Sequence, residues 1–200
     1  VNLGVEKFKK NNVYWGLEGR YSIGRVTYDG ATTNLDTNFT SPYQDTSLSN
    51  ILNIEGRLGY TLRVDKKLMY TPFIGLGYHS WYRGEVEHVS NDYSEVYRWN
   101  YVALGVKANQ LLSESLELGL NLKAMLMFNA EMELSLVPVP FYLGKKVHFE
   151  IEVPITYHLD VAFNEPNFYT IQITPFYRNQ NIGESDPIFA RYKGSTISLI

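Results

Sequence analysis

Apolar and polar residues alternate along most of this chain with a period of two. The clearest run is 116–134, where apolar residues, mostly leucine, occupy every even-numbered position. The odd-numbered positions carry glutamate, glycine, asparagine, lysine and methionine. Helical spacing would spread the charged residues around a helix, whereas strand spacing places them all on one face. The run is therefore predicted to be a β-strand despite its leucine content.

Six further segments repeat this alternation, and the links between segments alternate in length. The segments are residues 13–26, 52–64, 70–79, 102–107, 147–159 and 169–178. The longer links cover 28–49, 84–95, 135–146 and 179–187, and the short ones lie at 65–67, 109–115 and 164–167. Strands joined in this way form an antiparallel meander with its long loops at one end. No linker, repeat or low-complexity tract interrupts the pattern, which predicts a single domain over residues 1–200.

Composition narrows the classes of function. The chain has no cysteine, which excludes a disulfide framework, a thiol nucleophile and a cysteine-ligated metal. Its net charge of −3 provides no basic surface for nucleic acid, so no such partner is expected. No run approaches the roughly 18 apolar residues of a membrane-spanning helix. The sequence opens at Val1 with no charged or apolar leader, so a signal peptide is expected to have been removed or never present.

Alternation alone leaves open which face lies inside a closed sheet. A soluble barrel of the lipocalin kind buries its apolar face, and a membrane barrel exposes it. Glycines concentrate on the polar face, where a crowded interior needs small residues. Charges on that face nearly balance, and Glu18 with Arg20, like Glu55 with Arg57, lie two residues apart on one strand. Paired charges suit a narrow interior, so we expect the polar face inside.

Aromatic residues are placed near both ends of the predicted strands. The chain contains 16 tyrosines, 10 phenylalanines and 3 tryptophans. Towards the short turns lie Trp15, Tyr60, Tyr70 and Tyr169, and towards the long loops lie Tyr28, Trp81, Tyr82, Trp99 and Tyr177. Two aromatic girdles around an aliphatic band are typical of a sheet that crosses a bilayer.

In this combination the chain resembles the small eight-stranded outer-membrane β-barrels of Gram-negative bacteria, the group that contains the OmpA transmembrane domain, OmpX and NspA. The resemblance covers nearly the whole chain and is architectural. It implies an all-β, antiparallel up-and-down transmembrane barrel of about eight strands in the bacterial outer membrane, in contact with lipid and lipopolysaccharide. The charged or titratable residues expected to line its lumen are Glu18, Arg20, Glu55, Arg57, Lys107, Glu117, Lys123, His148, Glu150, Glu152, His158 and Arg178.

The C-terminal end departs from this family pattern. Such barrels close with a strand that ends in phenylalanine, whereas this chain ends in Ser198, Leu199 and Ile200. The segment 189–200 also alternates poorly. Either the eighth strand is irregular, with a bulge at Gly194, or the closing strand is missing.

The candidate chemistry favours a structural role for the titratable residues. His79 and Ser80 are adjacent, but neighbours on a strand point to opposite faces and so cannot form a catalytic pair. Glu150 and Glu152 could form a cation site or a proton-sensitive gate. A salt-bridge network is the favoured interpretation, with Lys123 or Arg178 as the partner. No ligand spacing indicates a metal, and no cofactor is expected.

The predicted function is therefore non-enzymatic: surface interaction through the long loops, or envelope integrity. Three alternatives remain open at this point. One is a narrow channel for small ions or apolar solutes, suggested by Pro72, Pro154 and Pro175 inside strands. The others are a lipid-A-modifying enzyme and a soluble lipocalin-like binding barrel. The apolar segment 134–146 either contacts a membrane or a protein partner, or extends its strand beyond a proline-containing turn.

Overall fold

The protein folds as antiparallel β-sheet, and the described residues contain no helix. A computed structural model describes residues 1–7, 12–34, 39–86, 94–135, 137–159, 169–183, 188–192 and 195–199. The strands are β1 (Asn2–Lys7), β2 (Asn12–Asn34), β3 (Phe39–Arg63), β4 (Leu68–Val86), β5 (Glu95–Leu111), β6 (Leu116–Leu134), β7 (Val137–Leu143), β8 (Val147–Glu152), β9 (Ile155–Leu159), β10 (Tyr169–Ile173), β11 (Phe176–Asn179), β12 (Ile188–Tyr192) and β13 (Ser195–Leu199).

Eleven of these strands form one sheet, and β12 pairs with β13 in a separate two-stranded sheet. Across the sheet the order is β1-β2-β3-β4-β5-β6-β8-β11, so strands that are neighbours in the sheet are consecutive along the chain from β1 to β6. Strands β7, β8 and β9 follow one another along β6, while β10 and β11 pair with β9 and β8. The sheet is thus eight positions wide. The predicted all-β, antiparallel architecture is confirmed, while the described edges at β1 and at β10–β11 are not hydrogen-bonded to each other.

Prolines coincide with two of the breaks along the outer rows. Pro154 separates β8 from β9, and Pro175 separates β10 from β11. Proline has no backbone N–H, so it interrupts a ladder of hydrogen bonds. The carbonyls of both residues still accept bonds from the neighbouring row, Pro154 from Gly119 N at 2.7 Å and Pro175 from Val153 N at 2.9 Å. The rows therefore stay paired across both breaks.

The tight turn between β3 and β4 is built on Asp65. Its carboxylate accepts the backbone N–H groups of Lys67 at 2.6 Å and Leu68 at 2.8 Å. These bonds favour the ionised carboxylate and lower the pKa of Asp65. The hydrogen bonds of the Asp65 side chain thus explain why the short link predicted at 65–67 forms a tight turn.

The two faces of the sheet differ sharply in chemistry. Aliphatic and aromatic side chains cover the outward face, including Leu17, Ile54, Leu58, Leu76, Leu104, Leu122 and Phe149. The inward face buries polar and charged side chains, including Asn53, Glu55, Arg57, Lys107, Lys123, His148 and Glu150. The sheet curls enough for Arg20 of β2 to hydrogen-bond Glu152 of β8. The inward face also holds a group of buried apolar side chains, hereafter the interior cluster: Tyr97, Trp99, Tyr101, Ala103, Met125, Met127 and Ala130.

A bulge in the β5–β6 pair lies near the start of β5 and the end of β6. It reverses which residues of β6 face the interior. The register shifts between Arg98 and Asn100, and Asn129 has a φ of 49°. Beyond this point Ala130 is buried and Met132 packs against the interior cluster. Their predicted placement on the leucine face of 116–134 is wrong, because the extra residue moves each following side chain to the other face.

The predicted outer aromatic residues are only partly found on the outer face: Tyr177 is exposed as expected at the long-loop end, and the side chains of Tyr28 and Tyr169 lie outside the described part of the structure. Trp15, Tyr60 and Tyr70 are exposed on the outer face near the short turns. At the other end Trp99 is buried, and Trp81 packs beside it inside the sheet. Neither tryptophan belongs to the aromatic girdle that was predicted on the outer face, because both lie at inward-facing positions of β4 and β5.

Several predicted links are strands. Most of 28–49 lies in the arms of the β2–β3 hairpin, and β7 pairs with the end of β6, so the segment 134–146 is a strand extension. In the segment predicted as an irregular closing strand, the described residues 188–192 and 195–199 pair with each other as β12 and β13 and are not hydrogen-bonded to the main sheet. The sequence interpretation missed β1, which pairs with β2. The predicted link 164–167 and the predicted bulge at Gly194 lie outside the described residues.

Candidate functional site

Six charged side chains form a closed ring across the interior of the curled sheet. In order around the ring they are Arg57, Glu55, Lys123, Glu150, Arg20 and Glu18. Their signs alternate, so each carboxylate faces two cations and each cation faces two carboxylates. Lys123 Nζ lies 3.0 Å from Glu55 and 2.9 Å from Glu150, and Arg20 lies 3.5 Å from Glu150. Desolvated charges need partners of this kind.

Four further charged residues attach to this ring. Glu6 of β1 lies 3.2 Å from Arg57 and also pairs with Lys107. Glu152 accepts a hydrogen bond from Arg20 at 2.7 Å, and Arg178 of β11 pairs with Glu150. The ten residues, hereafter the charge network, comprise five cations and five carboxylates. The charge network is neutral when all of them are ionised.

Nine of the twelve residues predicted to line a lumen belong to the charge network. The other three, Glu117, His148 and His158, lie outside it. Glu117 Oε2 lies 3.6 Å from His158 Nε2. The Nε2–H of His148 donates to the Asn181 carbonyl at 3.0 Å, and its ring meets the Trp99 ring edge-on.

Strand spacing explains how neighbouring charges are paired. Glu18 and Arg20 point to the same face of β2, two residues apart, and their side chains meet at 3.0 Å. Glu150 and Glu152 share a face of β8, where they would repel each other if no cation lay between them. Arg20 contacts both carboxylates, and Glu150 meets both of its predicted partners, Lys123 and Arg178.

The sequence interpretation missed Glu6. Its strand, β1, is six residues long and has only Leu3 and Val5 as large apolar residues. That run is too short for periodicity to indicate a strand. The signal that could have found Glu6 is its position directly after Val5, where alternation with Leu3 and Val5 places it on the polar face.

Interior glycines make room for aromatic rings around the network. A Cβ on Gly77 would overlap the ring of Tyr101, and a Cβ on Gly105 would overlap the ring of Phe73. Tyr101 in turn donates its hydroxyl to Glu55 at 2.8 Å and accepts from Asn53 Nδ2 at 2.9 Å. The glycines of the polar face thus make room for Tyr101, and the Tyr101 hydroxyl orients Glu55, the most buried carboxylate of the six-residue charge ring.

His79 is buried against an aromatic residue of β5 and lies outside the charge network. Its ring stacks on Trp99, with ring centroids 4.1 Å apart, and its Nδ1 lies 3.2 Å from Asn53 Oδ1. Ser80 takes the opposite face of β4, as strand alternation requires. The two side chains therefore do not form a nucleophile–base pair. His88, the remaining histidine, lies outside the described residues.

Within the described ranges, no group of three or more potential ligands is arranged to hold a metal ion. Over the same part of the chain, no helix has the length and apolarity needed to cross a membrane. Comparison with family models, curated proteins and solved structures finds no match to this chain. The two faces of the sheet and the charge network are therefore the features from which a function is inferred.

Proposed function

We propose that this protein is a transmembrane β-barrel of the bacterial outer-membrane type, non-enzymatic, with a lumen sealed by the charge network. Lipid and lipopolysaccharide surround its outer face, and its long hairpins contribute to surface contact or envelope integrity. One observation carries the proposal: large apolar side chains cover the exposed face, while the ionised side chains of the charge network are buried. A water-soluble sheet protein has the opposite distribution, because apolar surface is buried at the expense of polar surface.

The height of the apolar face supports the proposal. On β4, Pro72, Ile74 and Leu76 lie on the outward face between Tyr70 and Tyr78. That stretch of nine residues corresponds to the roughly 9–11 residues of a tilted strand that spans a bilayer. On β5 and β6 the outward face becomes charged above this level, with Arg98 2.7 Å from Glu133. The charged pair would lie at the headgroup level.

The width of the sheet favours closure. Eight antiparallel positions place the first and last rows in opposite directions, as an even-numbered barrel requires. The Arg20 guanidinium of β2 lies 5.1 Å from the ring centroid of Phe176 in β11. The two edges therefore approach each other, with β1 alone between Arg20 and the far row.

The charge network favours a sealed barrel over a channel. Its side chains cross the interior from β2 to β8, and a cavity between them measures only about 10 Å³. Such a space holds about one water molecule and offers no passage to a hydrated ion. A bilayer recording from the purified protein should show no conductance steps. Stepwise currents would replace the sealed barrel with the channel alternative.

Membrane insertion is tested by introducing a charge on the outer face. Leu122→Arg at the middle of β6 should destabilise the protein in lipid vesicles by about 2–4 kcal/mol, because the arginine would face hydrocarbon. Leu112→Arg, in the β5–β6 turn, is the matched control and should cost less than about 1 kcal/mol. Urea unfolding of the folded protein in vesicles measures both.

Detergent dependence provides an independent test. The folded protein should require detergent and should migrate differently on SDS gels before and after boiling. A detergent-free monomer that tolerates Leu122→Arg would overturn the proposal. The soluble lipocalin-like alternative would then be tested by ligand quenching of tryptophan fluorescence.

A further inference from the structure

Three hydrogen bonds connect His79 to the charge network through the interior of the sheet. Tyr101 donates its hydroxyl proton to Glu55 at 2.8 Å, and its oxygen lies 2.9 Å from Asn53 Nδ2. On the other side of the same amide, Asn53 Oδ1 lies 3.2 Å from His79 Nδ1. All four residues are at most 5% exposed. His79 is therefore the far end of a buried path of hydrogen bonds that begins at the charge network.

The direction of each bond in this path follows from Glu55. Its carboxylate lies between two cations of the charge network, so it is ionised and only accepts hydrogen bonds. Tyr101 has one hydroxyl proton, which it donates to Glu55, so its oxygen accepts from the Asn53 amide. The Asn53 carbonyl oxygen then faces His79 and requires a donor. His79 Nδ1 must therefore carry a proton.

The other ring nitrogen of His79 has no partner of this kind. Nε2 is buried, and no hydrogen-bond partner for it lies among the described residues. A neutral imidazole carries a single ring proton, so Nε2 presents a bare lone pair. Protonation at Nε2 would bury both a positive charge and an N–H group that lacks an acceptor, and each of these is costly.

The charged surroundings of His79 also disfavour a positive charge on its ring. The titratable or charged side chains near it are Glu55 on β3, Tyr101 on β5, His148 on β8 and Arg178 on β11. Arg178 and His148 interact with His79 electrostatically, and both would repel an imidazolium when charged. Glu55 is separated from His79 by two side chains and is already shared by two cations.

We propose that His79 is a pH-sensitive switch in the interior of the sheet. In its neutral Nδ1–H form it donates to Asn53 and stacks on Trp99, with ring centroids 4.1 Å apart. Protonation at Nε2 in acid drives the imidazole out of this position, which removes the stack and shortens the path to Glu55. The face of Trp99 attracts a cation but supplies no acceptor for Nε2–H, so it compensates only in part. The switch lies inside the curled sheet and does not depend on what covers the outer face.

The sign of the pH dependence follows from which state binds the extra proton. A histidine in the unfolded chain is half-protonated at about pH 6.5, whereas the folded protein holds His79 neutral. The unfolded state therefore binds one more proton in acid, and acid favours unfolding. Through His79 alone, the folding equilibrium constant should fall about 25-fold between pH 7 and pH 5.

His79→Asn separates the switch from other effects of acid. The asparagine amide nitrogen takes the place of His79 Nδ1 and can still donate to Asn53, but it cannot be protonated. Between pH 7 and pH 5 the loss of folding should therefore be smaller than in the wild type by a factor of about 25. Urea unfolding of the protein folded in detergent micelles at each pH measures this loss. Equal pH dependence of the wild type and His79→Asn would overturn the proposal.

His158→Asn is the matched control for the removal of a histidine. His158 is partly exposed and lies 3.6 Å from Glu117, a carboxylate that favours its protonated form. The control should leave the loss of folding in acid at the wild-type size or larger. A reduction equal to that of His79→Asn would mean that any histidine produces the effect, and it would overturn the proposal.

A second measurement uses only the wild type, in case His79→Asn does not fold. In ¹⁵N-histidine NMR spectra with sequence-specific assignment, His79 should carry its proton on Nδ1 at pH 7. Its ring should stay neutral at pH 5.5, where an exposed histidine is mostly protonated. A proton on Nε2 at pH 7, or titration in step with an exposed histidine, would overturn the proposal.

Discussion

Glu150 is the most heavily engaged residue of the charge network. Its carboxylate contacts Lys123, Arg20 and Arg178, and its side chain is 1% exposed. No other carboxylate in the charge network has contacts with three cations in the described residues. Loss of the Glu150 charge would therefore deprive three buried or partly buried cations of the carboxylate that they share.

Glu150→Gln is therefore expected to destabilise the protein by about 3 kcal/mol or more, the usual cost of removing one partner of a buried ion pair. Glu133→Gln, whose side chain is 48% exposed beside Arg98, should cost less than about 1 kcal/mol. Urea unfolding followed by tryptophan fluorescence measures both. Equal effects of the two substitutions would mean that solvent screens the charge network.

Gly77 tests the packing of an aromatic ring against the sheet. Gly77→Ala should displace the Tyr101 ring and weaken its bond to Glu55, at a cost of about 1–3 kcal/mol. Gly56 has nothing within 4 Å of the position of an added Cβ, so Gly56→Ala should change the free energy of unfolding by less than about 1 kcal/mol. A stable Gly77→Ala protein would show that Tyr101 has room to move.

At the scale of the element, the bulge in the β5–β6 pair controls which side chains point outward. Asn129, with its φ of 49°, is in the left-handed region that asparagine and glycine tolerate. Beyond it Glu131 and Glu133 approach Arg98 on the outer face, at 3.7 and 2.7 Å. The bulge thus ends the apolar face of these two strands.

Asn129→Gly should keep the bulge and the stability of the protein, because glycine adopts positive φ at no steric cost. Asn129→Val should cost about 1–2 kcal/mol, because a β-branched residue resists that backbone conformation. Asn100→Val is the control at a strand position without positive φ. Thermal unfolding ranks the three variants. If Asn129→Val matches Asn100→Val, positive φ at this position is not a constraint.

The sequence predicts the strands well where alternation is long, and poorly where it is short or interrupted. The run 116–128 alternates without a break and forms most of β6. The reversal at Asn129 has no local signature, because asparagine is also an ordinary polar residue on the inward face. In β1 the alternation is too short to detect. The inward orientation of Trp99 follows from register, which depends on partner strands rather than on tryptophan itself.

At the scale of the whole molecule, the pairing of charges was foreseeable only in part. Glu18 with Arg20 and Glu55 with Arg57 follow from spacing within one strand. The contact of Arg20 with Glu152 joins residues 132 positions apart and depends on how strongly the sheet curls. Sequence periodicity carries no information on curl, and for the same reason it does not determine closure.

Closure can be tested with cysteine pairs, since the chain has none of its own. Leu3 in β1 and Ile171 and Ile173 in β10 are exposed apolar residues of the two edge rows. Leu3→Cys combined with Ile171→Cys or with Ile173→Cys should yield an intramolecular disulfide in at least one pair, because paired strands bring Cα atoms within about 7 Å. Leu3→Cys with Leu104→Cys, in the middle of the sheet, should not. Failure of both edge pairs would mean an open sheet.

The ring of alternating charges also has a consequence for the order in which the chain is assembled. Strands β2, β3 and β6 supply Glu18, Arg20, Glu55, Arg57 and Lys123, but the acid that joins Lys123 to Arg20 is Glu150 on β8. A chain released before residue 150 would carry Arg20 and Lys123 towards its centre without this shared partner. The last third of the sequence therefore supplies the negative charge that neutralises cations from the first two thirds. A chain that lacks it would contain unpaired positive charges in its interior and would be less stable than the full chain.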